Sequence, residues 1–450
     1  MSQDTRAFIK ELTHLECRVV RGMVDGSLIL NSKDESVLRW ALSLGRVSKV
    51  LGDKPVEIGP GTDIYRTKLF GLLTNAPNWS GIKECIPAIY KLALSEQQEL
   101  LALYGSRLDV KALEDAVSKR PLALALGGGG GTSFVFTGAF AALHEAGIIP
   151  DAIAGSSMGA VLGLYRAKYR EFDLDRLKSL AGPTVWSRLT QNGEQGSRFG
   201  LSASFRLNLH DVFGLEFQKG NRTMYLSELE IPLRVTLAGM SDQDVQKLPQ
   251  TQWLEEEETV NASQLKKREQ GIIQALLQVA TKSLKAIYLG GDDLTKDFDV
   301  LDAVGFSAAV PGLFHYDVLR NDPHMVPLIR EVMHQHGVSR FLDGGFVDNL
   351  PAAQAQSCLT DPFVLALDGF SPNWKRHWLF LPLMRIAAES SKEGYKTAHL
   401  TIAYQRVLSP INIVPSPIEL TRAIENGYKE TIPHLPFIKK MLGPIPNPFA

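Results

Sequence analysis

The sequence predicts an α/β fold with a mostly parallel central sheet, preceded by a helical extension. Two observations predict the sheet. From residue 122 onward, short apolar runs alternate with apolar or amphipathic stretches of helical length. The first two runs also break off into glycine and serine, as strands that feed tight turns do. A third observation predicts the extension: residues 1–120 carry helical punctuation.

In the extension, the run 36–44 follows the polar cluster Asn31, Ser32, Lys33 and Asp34. The helix it starts is expected to end near Gly52, with Pro55 beyond. Ser95 with Gln98 reads as a capping box before Leu100, Leu101 and Leu103, and Gly105 closes that helix. Asp109 opens a short helix that stops before Pro121. No chemistry is visible here, so 1–120 reads as a helical accessory region.

Beyond it, 122–126 is a buried strand, 134–146 a helix with Gly147 just past its end, 151–154 a second strand and 158–170 a second helix. Residues 233–237 and 363–367 are further strands. Two segments look inserted. Residues 183–225 carry Trp186, Phe199, Phe205, Phe213 and Phe217 among polar residues. Residues 242–290 hold the acidic run Glu255, Glu256, Glu257 and Glu258, a solvated helix start, and then a helical stretch from about Ser263 to Tyr288.

Composition narrows the function. The 450 residues suggest about two to four domains at roughly 100–200 each. With 44% hydrophobic and 22% charged residues, extensive disorder is excluded. The 48 basic and 49 acidic residues leave a net charge of -1, which argues against a nucleic-acid partner and against long-range attraction to an anionic membrane. Cys17, Cys85 and Cys358 are isolated, so neither a disulfide framework nor a CxxC metal site is expected, and a cytoplasmic setting fits. The start, Met1 to Arg6, lacks the apolar core of a signal peptide. The sequon Asn261-Ala262-Ser263 would then not meet the glycosylation machinery.

Glycine is unevenly spread. Ten of the 38 glycines fall within the 37 residues 127–163. The same region imitates a membrane span, because the 23 residues 121–143 carry no charge. Five consecutive glycines, Gly127 to Gly131, would break a helix there, so the segment reads as strand, turn and helix.

Gly155-Ser156-Ser157-Met158-Gly159 fits G-x-S-x-G between a strand and a helix, the setting of an exposed nucleophile on a sharp turn. Side chains at Gly155 and Gly159 would collide with neighbouring backbone. The helix N-terminus after Ser157 favours a developing negative charge. The glycine loop after the first strand can turn N–H groups toward an anion. A dinucleotide fingerprint fails, because its last position falls on Thr132, Ser133 or Phe134 in every register. A phosphate loop fails for want of a lysine. An oxyanion loop needs only free N–H groups and belongs beside a nucleophile.

A serine needs a base. Asp343, after an apolar run and before Gly344 and Gly345, is a candidate. Its ordinary pKa near 4 is too low for a base at neutral pH unless burial raises it. On the residues alone, an ordinary Asp-Gly turn, common everywhere, stays the leading alternative. His377, His399 and His434 follow Asp343 in the order of an α/β-hydrolase triad, but none sits in a strand-end loop with glycines. His377 lies in a basic-aromatic stretch, His399 reads as helical, and His315 precedes the aspartate.

Taken together, residues 122–370 resemble the patatin-like phospholipases. The loop 126–130, the helix 138–148, the elbow 155–160, the strand 231–235, the segment 307–314 and Asp343-Gly344-Gly345 with Asn349-Leu350-Pro351 follow in the family's order. The resemblance implies a three-layer α/β/α sandwich over 121–370, with 371–450 as a helical extension packed on it. It implies hydrolysis of lipid carboxylic esters, of phospholipase A, lysophospholipase or lipase type, through an acyl-enzyme. Ser157 would be the nucleophile, Asp343 the base, and the N–H groups of Gly128, Gly129, Gly130 and Met158 the oxyanion donors. No cofactor and no metal is implied.

The sequence departs from the family at Thr132 and Ser133, where a basic residue and glycine are usual. Both are good N-caps for the following helix, so the turn is expected to survive without the cation. Two rival readings stay open, a weakly active or inactive lipid-binding module and a His-dependent esterase. A lipid substrate implies transient membrane contact, for which Trp374 and Trp378, among basic and bulky apolar residues, have the right composition.

Overall fold

The structure is a computed structural model that describes residues 3–51, 54–76, 78–181, 186–192, 197–201, 203–248, 283–320, 322–370 and 381–450. The acidic run 255–258, the sequon 261–263, Trp374, His377 and Trp378 lie outside the described residues. Two compact units emerge. One joins residues up to 122 with 359–363 and 433–450, and the other holds 123–358 and 364–432.

The first unit is helical: α1 (Gln3–Val24), α2 (Ser32–Arg46), α3 (Asp63–Thr74), α4 (Trp79–Tyr104) and α5 (Val110–Ser118). Asn31 and Asp109 cap α2 and α5 with their side chains. Two expectations need correcting. Helix α2 stops at Arg46, because Lys49–Val50 pairs with Val56–Glu57 as a short antiparallel ribbon. Ser95 starts no helix, because α4 runs through it from Asn78, its N-cap, and carries Pro87 inside. Gly105 does end α4, at φ 50°.

The apolar faces of these helices share one core with Ile445, and Phe449 stacks edge-on against Trp40 and Tyr90. Lys440 pairs with Glu35 at 2.7 Å. The last eighteen residues therefore cluster with the N-terminal helices, and the sequence-derived extension 371–450 divides between the two units.

The second unit is built on a seven-stranded sheet: β1 (Leu122–Leu126), β2 (Ala152–Ser156), β3 (Leu233–Met240), β4 (Lys285–Leu289), β5 (Arg340–Asp343), β6 (Phe363–Asp368) and β7 (Leu400–Ala403). Its order is β4-β3-β2-β1-β6-β7, with β5 paired to β3. The pairs β1–β2, β2–β3 and β6–β7 are parallel, while β4 and β5 run antiparallel to β3. With helices flanking it, this is a three-layer α/β/α fold. The helical stretch anticipated up to Tyr288 is corrected at its end, where 285–289 forms the edge strand β4.

Strand β3 has a divided edge. Its first half pairs with β2, Ser156 lying opposite Thr236. Its second half pairs with β5, Asp343 lying opposite Leu237. Because β2 and β5 run in opposite senses, their C-terminal ends meet at adjacent positions of β3.

Helix α6 (Val135–Glu145) follows β1 after one 3-10 turn, Gly130–Phe134, and α7 (Met158–Lys168) follows β2. Helix α8 (Val300–Ser307) precedes β5, and α9 (Pro417–Thr431) packs on α6. The contact of α6 with α9 is backbone to backbone. A Cβ on Gly427 would lie 1.8 Å from the Val135 carbonyl oxygen, and one on Gly138 would lie 2.0 Å from that of Ile424. Among the described residues no helix is long and apolar enough to cross a membrane. Since neither backbone can give way, Gly427→Ala is expected to destabilise the protein by about 1–3 kcal/mol. Chemical denaturation checks this, and an unchanged midpoint would contradict the packing.

Candidate active site

Ser157 leaves β2 with φ 52° and ψ −129°, a backbone that side-chain-bearing residues rarely adopt. Three contacts fix it. Its N–H donates to Ser307 Oγ at 2.9 Å, at the end of α8, and that hydroxyl donates to the Thr236 carbonyl at 2.7 Å. Its carbonyl accepts from the N–H groups of Ala160 and Val161. The flanking glycines admit the bend, since a Cβ on Gly155 would meet the Ala160 Cα at 2.6 Å and one on Gly159 the Leu126 carbonyl oxygen at 2.4 Å.

The divided edge of β3 brings Asp343 to this turn. Ser157 Oγ donates to Asp343 Oδ2 at 2.5 Å. The other carboxylate oxygen accepts from the Gly345 N–H at 2.7 Å. Gly344 has no room for a side chain, because a Cβ there would lie 2.1 Å from the Thr236 carbonyl oxygen. Asp343 is buried. Burial pushes its pKa up to about 7, and the hydrogen bonds from Ser157 and Gly345 restrain the rise.

The glycine loop lies beside the serine. A Cβ on Gly128 would come within 2.9 Å of the Ser157 Cβ. One expectation is corrected here. The Gly128 N–H donates to the Asn349 carbonyl at 3.1 Å, so it is committed to the protein and cannot serve an oxyanion. The N–H groups of Gly129, Gly130 and Met158 have no protein acceptor among the described residues, and all three residues line the cavity at Ser157. Met158 is also the first residue of α7, where the helix dipole favours negative charge.

Thr132 and Ser133 act differently from caps. Their hydroxyls donate to the carbonyls of Gly129, at 2.9 Å, and Gly127, at 3.3 Å, and so hold the loop from within. Helix α6 starts later, with Phe134 in the capping position and no side-chain cap.

A cavity of about 230 Å³ opens above Ser157. Its walls are apolar and come from distant parts of the chain. The aromatic segment read as an insertion supplies Leu189, Leu207, Leu209 and Phe213, and the chain after β6 supplies Ile386 and Ile411. Ser307 and these walls were not assigned from the sequence. Ser307 is a polar residue in the apolar last turns of α8, after Ala303, Val304, Gly305 and Phe306, the one local signal of its role.

Among the described residues no histidine lines the cavity. His315 Nδ1 accepts from the Ala203 N–H. His399 lies just before β7 rather than in a helix, and its Nδ1 accepts from the Val364 N–H. His434 belongs to the helical unit.

Protonated Asp343 cannot take the serine proton. Turnover of a soluble ester, as kcat/KM, is therefore expected to fall as pH drops through about 7. A profile flat down to pH of about 5 would contradict a buried aspartate base.

A family model described as patatin-like phospholipase matches residues 124–355, just over half of the chain. No curated protein matches it.

Proposed function

We propose, from the premise that this chain belongs to the patatin-like phospholipase family, that it hydrolyses lipid carboxylic esters through Ser157 and Asp343. One observation carries this reading. A serine hydroxyl donates at 2.5 Å to a buried carboxylate at the floor of an apolar cavity, with unspent N–H groups beside it.

The steps follow from the atoms present. As Ser157 Oγ bonds to the ester carbonyl carbon, its proton passes to Asp343 Oδ2. The negative charge that grows on the carbonyl oxygen faces the N–H groups of Gly129, Gly130 and Met158. Asp343 then gives the proton to the leaving alkoxide oxygen as the C–O bond breaks, leaving an acyl-enzyme and an alcohol. Water attacks the acyl-enzyme while Asp343 takes one of its protons. Return of that proton to Ser157 Oγ releases the acid and restores the dyad.

The apolar walls suit an acyl chain. The reaction is of phospholipase A, lysophospholipase or lipase type. Ile411 lines the cavity yet is half exposed, which suits entry from a lipid surface. The setting we propose is cytoplasmic with transient membrane contact, aided by Trp374 and Trp378, and with no role for nucleic acid.

Hydrolysis of a soluble short-chain nitrophenyl ester tests this. Asp343→Asn is expected to lose activity by about 10²–10⁴-fold. Ser157→Ala should lose at least as much. His377→Ala should match the parent protein. Loss in the histidine variant would favour a triad, and an inert parent protein would favour a lipid-binding module.

A further inference from the structure

Asn349 follows the acid turn and holds the glycine loop with its backbone carbonyl, which accepts from the Gly128 N–H at 3.1 Å. The residue is buried and lines the cavity at Ser157. Its side-chain amide takes no part in the steps written above.

Hydrogen bonds fix which way that amide faces. Its Nδ2 donates to Ser391 Oγ at 3.2 Å. Ser391 gives its single hydroxyl proton to the Ala387 carbonyl at 2.7 Å, so toward Asn349 it can only accept. The amide oxygen therefore points the other way, toward the reacting groups. A Cβ placed on Gly128 would lie 2.6 Å from Asn349 Oδ1 and 2.9 Å from the Ser157 Cβ. One placed on Gly345 would lie 2.9 Å from Asn349 Oδ1 and 2.9 Å from Asp343 Oδ1. The oxygen is thus a neighbour of both the nucleophile and the acid.

Asn349 Oδ1 has no hydrogen-bond partner among the described residues, and unlike the Ser156 hydroxyl it is not sealed from solvent. An amide oxygen only accepts, and a buried one left without a donor costs free energy. The reactants offer few donors. An acyl chain has none, and the ester oxygen that leaves carries no proton when Ser157 attacks. Water carries two.

We propose that Asn349 Oδ1 holds the water that breaks down the acyl-enzyme. The inference rests on the ester hydrolase reading above. The water oxygen bonds to the acyl carbon as one of its protons passes to Asp343 Oδ2. Its other proton donates to Asn349 Oδ1 and stays on the oxygen. The bond from the carbon to Ser157 Oγ then breaks, that oxygen takes the proton back from Asp343, and the acid leaves. Holding the water by both protons fixes its line of attack. In acylation the amide has no such donor, so the two halves of the reaction should respond differently to its loss.

A soluble short-chain nitrophenyl ester separates them. Nitrophenol release in a single turnover, with protein in excess, reports acylation. Acid-quenched intact mass during steady turnover gives the ratio of acylated to free protein, which is set by the two steps together. Asn349→Leu keeps the backbone carbonyl and a side chain of similar size. It should release nitrophenol in a single turnover as the parent protein does, while its ratio of acylated to free protein rises by about tenfold, the worth of one hydrogen bond. Ser391→Ala, which frees the amide to turn without touching the dyad, should raise that ratio by less.

An unchanged ratio in Asn349→Leu overturns the proposal, and so does slower single-turnover release with no rise in the ratio, because the residue would then only support the loop. If Asn349→Leu does not fold, Ser391→Ala decides, a raised ratio supporting the proposal and a parental one overturning it. A parent protein that cleaves no ester overturns the hydrolase reading and this proposal with it, whereas a cleaving parent with an unchanged ratio in the variants overturns this proposal alone.

Discussion

Strand β3 carries two partners along one edge, β2 on its first half and β5 on its second. The site depends on that arrangement. A parallel strand delivers the serine turn and an antiparallel strand delivers the aspartate, and their ends meet where Thr236 and Leu237 are neighbours. Each is anchored by ladder hydrogen bonds rather than by a loop, so the 2.5 Å contact between Ser157 and Asp343 is set by sheet register. The same edge recruits α8, because Ser307 bridges the Ser157 N–H to the Thr236 carbonyl.

Burial then does the chemical tuning. Among the described residues no histidine or cation stands at the carboxylate, and desolvation is the leading influence on Asp343. An exposed aspartate would be too weak a base near neutral pH. Asp343 also lines the apolar cavity, so the raised pKa and the apolar enclosure share one physical cause. Thr132 and Ser133 fit the same scheme, since they restrain the glycine loop by donating to its carbonyls without adding charge.

Much of this was legible in the sequence, for local reasons. Strands β1, β2, β3 and β6 are dense apolar runs, and the elbow glycines at 155 and 159 sit where backbone must approach backbone. What was not legible depends on pairing at a distance. The strand β4 reads as the end of a helix until β3 gives it a partner. Ser95 resembles a cap because the sequence does not reveal that α4 continues through Pro87. The Gly128 N–H looks as free as its neighbours until Asn349, more than two hundred residues later, claims it. The cavity walls are assembled from segments with no common motif, and the last eighteen residues declare their unit through contacts such as those of Lys440, Ile445 and Phe449.

The central claim is that Ser157 is a nucleophile activated by its buried aspartate partner. Intact-mass and peptide mass measurement after exposure to a long-chain fluorophosphonate tests it most directly, because the reagent bonds covalently only to an activated serine. The account predicts one adduct, located on Ser157 and strongly slowed in Asp343→Asn. A protein that hydrolyses esters while Ser157 stays unmodified, or labelling that proceeds at the same rate without the aspartate, would contradict it.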